Sequence, residues 1–258
     1  MSWVLLRGLS REARHWGELP RRIAQIPRIA GASPVAGSQP VLALDLPGNG
    51  EFCSQASPRS VRGMVDFARR QLLARGWPPP YHFVAMSLGG MVASDWAQQF
   101  PQEVARLVLI NTSMRPFSGV TERLRPGNWL PLLRLAARWP DAGYVERVIH
   151  RLTCQNLALR DEDVAAWLDI RKSAPVSAAN AGRQLWAAAR FSSAIEPPLC
   201  PVLVLSSIGD RLVHPLCSAR LAQAWQATHH AHPWAGHDLP HDDPDWVCRR
   251  MAEWLGKT

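Results

Sequence analysis

The pattern of apolar and polar positions changes its period abruptly between residues 81 and 99. Residues 81–86 form an apolar run of strand length, whereas residues 88–99 form an almost wholly apolar segment of helical length. Ser87 falls at the joint, where a serine in a sharp strand-to-helix turn has its hydroxyl raised above the sheet. Ala85 and Gly89 favour such a turn, because small neighbours let the strand and the helix pack closely.

Similar apolar runs recur along the chain and alternate with helical patterns. Further strands are predicted at residues 3–6, 40–46, 107–110, 201–207 and 230–234. Further helices are predicted at residues 61–75, 218–227 and 245–255. This alternation predicts an α/β fold with a doubly wound, mostly parallel sheet, whose ligand sites lie beyond the carboxyl ends of the strands. Leu9, Ser87 and Asn111 follow such ends.

The alternation stops in residues 113–190. This part has no convincing strand and contains helical stretches at residues 130–139, 144–153, 161–172 and 177–191. We interpret it as a helical cap inserted between two strands, so that residues 1–112 and 191–258 form the core. A second break, at residues 31–39, is rich in Gly, Ala, Ser and Pro and is predicted to be a loop.

Composition narrows the class of protein. The 258 residues are 47% hydrophobic and 19% charged, which excludes wholesale disorder. No segment approaches the roughly 18 consecutive apolar residues of a membrane-spanning helix. The five cysteines are odd in number, widely spaced and without a Cys-x-x-Cys pair, which favours reduced thiols over a disulfide framework or a zinc site. We therefore expect a cytoplasmic protein.

The chain is basic, with 29 Lys and Arg against 21 Asp and Glu, a net charge of +8. It contains no dense basic block and no recognisable nucleic-acid module, so we expect no nucleic-acid partner. Residues 113–190 hold twelve of the basic residues and seven of the acidic ones, which places +5 on the proposed cap. A solvated arginine-rich surface and attraction of an acidic partner both remain open.

Two later residues complete a candidate catalytic group with Ser87. Serine is a weak nucleophile unless a histidine takes its proton and a carboxylate orients that histidine. Asp210 follows one buried strand and His237 follows the next, but Asp210 could instead serve a plain turn. Gly236 favours His237, because glycine lets the loop turn inward. Rival histidines occur nearby, at His214, His229, His230, His232 and His241.

Five short motifs resemble those of the α/β-hydrolase superfamily, and they extend over nearly the whole chain. The chain is similar in particular to small capped carboxylesterases, a group that includes the pimeloyl-carrier-protein methyl esterases. The motifs are Trp-Val-Leu-Leu-Arg-Gly at 3–8, Asp-Leu-Pro-Gly-Asn-Gly at 45–50, Ala-Met-Ser-Leu-Gly-Gly at 85–90, Gly-Asp at 209–210 and Gly-His at 236–237.

The resemblance implies a triad of Ser87, His237 and Asp210, with the backbone N–H groups of Leu9 and Leu88 as the oxyanion hole. It also implies hydrolysis of a small-molecule carboxylic ester or thioester through an acyl-enzyme on the serine, with no metal or organic cofactor.

Three positions depart from the usual pattern of the superfamily. Arg7 occupies the place of the histidine in a His-Gly pair, Asn49 that of a histidine in the acid-Pro-Gly loop, and Ala85 that of the first glycine of the elbow. None of these changes removes a catalytic group. Arg7 precedes Gly8 and Leu9, however, so it bears directly on the shape of the oxyanion loop.

Substrate choice is assigned to the cap. Trp129, Leu133 and Trp167 are candidates to line an acyl pocket, although their helical spacing also fits core packing. Two arginine pairs, each four residues apart, share helix faces that are either solvated or able to dock an acidic acyl-carrier protein. These pairs are Arg134 with Arg138 and Arg147 with Arg151.

Two other functions remain open. A protein of this fold that keeps the triad can act as a ligand receptor or signalling protein, and the Arg7-Gly8 turn is compatible with that role. An acyltransferase would use the same residues as a hydrolase. Replacement of Ser87 by alanine separates a receptor from a hydrolase, because only the hydrolase would lose turnover.

Overall fold

The computed structural model describes residues 2–26 and 40–256. Within these ranges one sheet of six parallel strands has the order β2-β1-β3-β4-β5-β6. The strands are β1 (Ser2–Leu6), β2 (Val41–Ala43), β3 (Tyr81–Met86), β4 (Val104–Ile110), β5 (Val202–Ser207) and β6 (Thr228–His232). The predicted fold class is confirmed, and the described sheet is parallel throughout.

Helices cover both faces of the sheet and fill the interval between β4 and β5. Those outside that interval are α1 (Leu19–Ala24), α2 (Val61–Ala74), α3 (Leu88–Gln99), α9 (Leu216–Ala224), α10 (Leu239–Asp242) and α11 (Pro244–Leu255). Those inside it are α4 (Val120–Arg123), α5 (Trp129–Ala137), α6 (Ala142–Thr153), α7 (Arg160–Ser173) and α8 (Ala178–Arg190). The predicted helical insertion is thereby confirmed. None of the described helices is both long and apolar enough to cross a membrane.

Burial on both faces explains why the strands read as continuous apolar runs. In β1, Val4 and Leu6 belong to the core formed with α2 and α3, whereas Trp3 and Leu5 belong to the core formed with α1 and α11. Successive side chains of a strand point to opposite faces of the sheet. A strand covered by helices on both faces therefore has no polar side to alternate with its apolar one.

The second strand differs from its prediction. The sequence predicts a buried strand over residues 40–46, but β2 spans Val41–Ala43 and its side chains are only partly buried. Because β2 pairs with β1 alone at the edge of the described sheet, it has less cover than the central strands. The neighbouring loop predicted at residues 31–39 lies outside the described residues.

The joint between β3 and α3 is confirmed as a sharp turn. Ser87 has φ of 53° and ψ of −116°, a strained backbone conformation for a residue with a side chain. A Cβ atom added to Gly89 would lie 2.2 Å from the carbonyl oxygen of Leu6. Glycine is therefore required at this position, because α3 begins against the end of β1.

Candidate active site

Ser87 lies at the carboxyl end of β3, beside the loop that follows β1. Its N–H donates to the carbonyl of Ile110 at 3.0 Å, and its own carbonyl accepts from Thr112 Oγ1 at 2.8 Å. A Cβ atom added to Gly8 would lie 3.2 Å from Ser87 Cβ and 3.7 Å from Ser87 Oγ. The serine side chain thus faces the loop that the sequence assigns to the oxyanion hole.

His237 and Asp210 are both buried and are joined by a hydrogen bond. His237 Nδ1 lies 2.7 Å from Asp210 Oδ2. The other oxygen, Asp210 Oδ1, accepts from the N–H groups of Leu212 and Val213 at 2.8 and 2.9 Å. An ionised carboxylate only accepts hydrogen bonds, so the proton of this pair resides on Nδ1 and the other ring nitrogen, Nε2, is left as the basic one.

The electrostatic environment favours the protonated form of His237. Burial alone would lower the pKa of this histidine, but the charge and hydrogen bond of Asp210 outweigh burial and raise the pKa above its ordinary value. Asp238 adds to the increase and Arg7 opposes it. The pair therefore stabilises the imidazolium that forms when the histidine accepts a proton.

Asn111, at the end of β4, fixes the position of the histidine loop. Its Nδ2 donates to the carbonyl of His237 at 2.8 Å, and its Oδ1 accepts from the N–H of Ser207 at 2.9 Å. The next residue is Thr112, which bonds to Ser87, so consecutive residues contact the serine and the histidine loop. The sequence pattern predicted that Asn111 follows the end of a strand, but it did not predict a role for this residue.

Arg7, the departure noted in the sequence, contacts residues next to both candidate catalytic side chains. Its guanidinium forms two hydrogen bonds to Asp238, the residue after His237, at 3.0 and 2.6 Å. It also lies 3.5 Å from the sulfur of Met86, the residue before Ser87. Burial would raise the pKa of Asp238, but the charge and hydrogen bonds of Arg7 outweigh that effect and lower it.

Gln184 of α8 holds the loop after β1 from the side of the helical insertion. Its Oε1 accepts from the N–H of Ser10 at 2.8 Å, and its Nε2 donates to Asn49 Oδ1 and Ser57 Oγ at 3.0 Å each. Gln184 is fully buried, and Ser10 has a positive φ of 54°. No sequence pattern marks this glutamine, because its partners come from segments that are distant in the sequence.

A buried ion-pair network makes a second connection between that loop and the insertion. Arg11 donates to Glu146 of α6 at 2.6 Å, and Arg171 of α7 donates to the same carboxylate at 3.2 Å. The Arg11 guanidinium also lies over the Trp167 ring, 4.2 Å from its centroid. The loop is therefore fixed to three helices of the insertion, α6, α7 and α8.

Four of the five rival histidines have other identified partners. His229 lies 2.8 Å from Ser206 Oγ, His232 lies 3.2 Å from Asp243, and His241 lies 2.9 Å from Asp163. His214 accepts from the N–H of Leu216. Among these candidates, His237 is the one that contacts Asp210.

The three residues predicted to line an acyl pocket have different environments. Trp129 is partly exposed and donates to the carbonyl of Leu124, and Leu133 is exposed on α5. Trp167 is buried and packs against the rings of His150 and His241. Their role in substrate binding stays a prediction.

The arrangement has the components of acyl transfer. Leu88 is the first residue of α3, so its N–H has no acceptor within the helix and lies at the positive end of the helix dipole. Leu9 follows Gly8, the residue that packs against Ser87. Acyl transfer needs backbone donors to stabilise a tetrahedral oxyanion and an oriented histidine to take the proton of the serine hydroxyl.

Comparison with known proteins gives the same family. A model described as "Alpha/beta hydrolase family" matches residues 3–250. Pimeloyl-[acyl-carrier protein] methyl ester esterase from Chromobacterium violaceum is 43% identical over 72 residues, which is 28% of this chain and 26% of that protein. The match therefore spans about a quarter of the length of that curated relative.

Solved structures share the fold along almost the entire chain. An esterase from Thermogutta terrifontis has a TM-score of 0.76 and 22% identity, covering 100% of this chain and 90% of its own. An enol-lactonase from Burkholderia xenovorans has a TM-score of 0.76 and 17% identity, covering 98% and 91%. From the family match and the architecture, this chain belongs to the alpha/beta hydrolase family.

Proposed function

We propose that this protein is a serine hydrolase that cleaves a carboxylic ester or thioester through an acyl-enzyme on Ser87. The observation that supports this most strongly is the buried 2.7 Å contact between His237 and Asp210, at the sheet edge where Ser87 occupies a strained turn. In a Ser-His-Asp hydrolase these three residue types have these roles.

In the proposed reaction, Ser87 Oγ attacks the carbonyl carbon of the ester while His237 Nε2 takes the hydroxyl proton. The backbone N–H groups of Leu9 and Leu88 bind the oxyanion. His237 then gives its proton to the departing alcohol or thiol, which leaves an ester on Ser87. A water molecule, deprotonated by His237, attacks that ester, and His237 returns the proton to Ser87 Oγ as the acid is released. Asp210 keeps the imidazole oriented throughout.

We infer an acyl ester as the substrate class, with an acidic carrier protein as a partner. The curated relative is named for a methyl ester carried on an acyl-carrier protein. In this chain four arginines on or next to α5 and α6 are exposed, namely Arg134, Arg138, Arg147 and Arg151. Their positive charge would attract an acidic partner, with an association rate that falls as salt rises.

The test is hydrolysis of p-nitrophenyl esters of increasing chain length. The parent should turn over the esters, and Ser87→Ala should abolish nearly all of that turnover. Ser94→Ala is the matched control, because Ser94 is a buried serine of α3 whose hydroxyl has no hydrogen-bond partner among the described residues. Absence of turnover in the parent would contradict the proposal and favour a receptor role.

A further inference from the structure

A second cluster of polar side chains lies where α6 and α7 meet α10, outside the group around Ser87. His150 is in the last turn of α6, Cys154 directly follows that helix, and His241 is in α10. One donor atom of each lies within 4.8 Å of the donor atoms of the other two. Asp163 of α7 is next to them, since its Oδ2 lies 3.1 Å from His150 Nε2 and 2.9 Å from His241 Nε2.

We propose that His150, Cys154 and His241, with Asp163, form a zinc site that ties the helical insertion to the segment after His237. Two imidazoles, a thiolate and a carboxylate are ligands that Zn²⁺ accepts in tetrahedral sites. Bonds of about 2.0 to 2.3 Å place such ligands about 3.3 to 3.8 Å apart. The donor atoms of His150, Cys154 and His241, which lie within 4.8 Å of one another, would have to approach by up to about 1 to 1.5 Å, and Asp163 Oδ2 already lies 3.1 and 2.9 Å from the two imidazole nitrogens.

Burial and unused bonding capacity distinguish this cluster from a solvated surface group. His150 and Cys154 are buried, and His241 is mostly buried. His150 Nδ1 is buried and has no hydrogen-bond partner among the described residues, so this imidazole keeps bonding capacity that the protein itself does not use. A fixed metal ion in such a closed position acts on structure, since it has no open coordination site for substrate.

The segments that carry the cluster are already held together by a carboxylate. Asp242 accepts hydrogen bonds from the N–H groups of Gln155 and Gly236, so the chain after Cys154 already contacts the chain before His237. A metal ion would reinforce this contact.

The alternative is a metal-free cluster held by hydrogen bonds and ring packing. Asp163 bridges the two imidazoles, and Trp167 packs against both rings with centroid distances of 5.3 and 5.2 Å. The two accounts differ at Cys154. In the metal-free cluster its sulfur has a weak 3.6 Å contact with Thr153 Oγ1, whereas in the zinc site it is a ligand.

Cobalt titration of the reduced, chelator-treated protein separates the two accounts. With zinc bound to Cys154, Co²⁺ should replace it at about one ion per chain, with a thiolate-to-cobalt band in the near ultraviolet and strong visible bands of tetrahedral cobalt. Cys154→Ser should lose the near-ultraviolet band, and His241→Gln should raise the dissociation constant at least about tenfold. Cys217→Ser, which removes a buried thiol of α9, should change neither.

The result for the unaltered protein is decisive even if a variant fails to fold. Absence of the thiolate-to-cobalt band at a slight excess of Co²⁺ would overturn the zinc site, and so would the same band in folded Cys154→Ser. A rise in melting temperature when Zn²⁺ is added, lost with Cys154→Ser, is the expected second result. Neither measurement depends on the proposed hydrolysis.

Discussion

Arg7 and Asp238 form a buried, two-bonded ion pair that joins the loop after β1 to the loop that carries His237. Arg7 is two residues before Leu9, and Asp238 directly follows His237. The pair therefore fixes the distance between the proposed oxyanion loop and the proposed general base. At position 7, where members of this superfamily usually have histidine, this chain has Arg7, which is paired with Asp238.

We expect Arg7→Met and Asp238→Asn each to lower the free energy of unfolding by about 3 to 5 kcal/mol, because each leaves one buried charge without its partner. The double variant should lose clearly less than the sum. Denaturant unfolding of all four proteins measures this coupling. If the two losses simply add, to within about 0.5 kcal/mol, the residues are not coupled.

Gln184→Ala should remove the support that α8 gives to the loop after β1. The N–H of Ser10 and the side chain of Asn49 would lose their partner in a buried place, at a cost of about 1 to 3 kcal/mol in unfolding free energy. Ester turnover should fall as well, because the loop carries the proposed oxyanion donor. Gln223→Ala, an exposed glutamine of α9, is the control, and equal behaviour of the two variants would refute this role for Gln184.

The dependence of kcat/KM on pH should report His237. The proposed base must be neutral, so the rate should fall as pH drops through a pKa that Asp210 raises above 6.5. Asp210→Asn removes the charge that raises this pKa, so the midpoint should move to lower pH and kcat should drop sharply. A midpoint that does not move in Asp210→Asn would contradict the assignment of His237 as the base.

His82 of β3 should make the fold sensitive to acid. Burial, together with the charge of Arg106, lowers its pKa to about 4. Since the unfolded chain binds that proton near pH 6.5, the free energy of unfolding should decrease as pH falls from 6.5 to 4, by at most about 3 kcal/mol from this group. His82→Gln should flatten that part of the stability curve. An unchanged slope would show that His82 does not cause it.

The fold could be predicted to a large extent from the sequence, because strands covered on both faces leave continuous apolar runs. The turn at Ser87 could also be predicted, because the change from a strand pattern to a helix pattern falls on that one residue. The length of the edge strand β2 was overestimated. That length depends on whether a second strand pairs with β2, and the local sequence pattern carries no information about such pairing.

The surroundings of the candidate site could be predicted much less well. Asp210 and His237 were found through their positions after strands, but Gln184 and Asp238 were not, because their partners lie far away in the sequence. The same limit applies to Cys154. Spacing alone gave no reason to expect a zinc site, since its donors come from segments that only folding brings together.

Labelling with a fluorophosphonate, followed by mass mapping of the peptides, tests the central claim most directly. The reagent reacts with serines that an adjacent base activates. We predict one adduct, located on Ser87, whose formation is strongly slowed in His237→Gln. Absence of any adduct in the folded parent protein, or an adduct on a different residue, would contradict the claim that Ser87 is the nucleophile of a serine hydrolase.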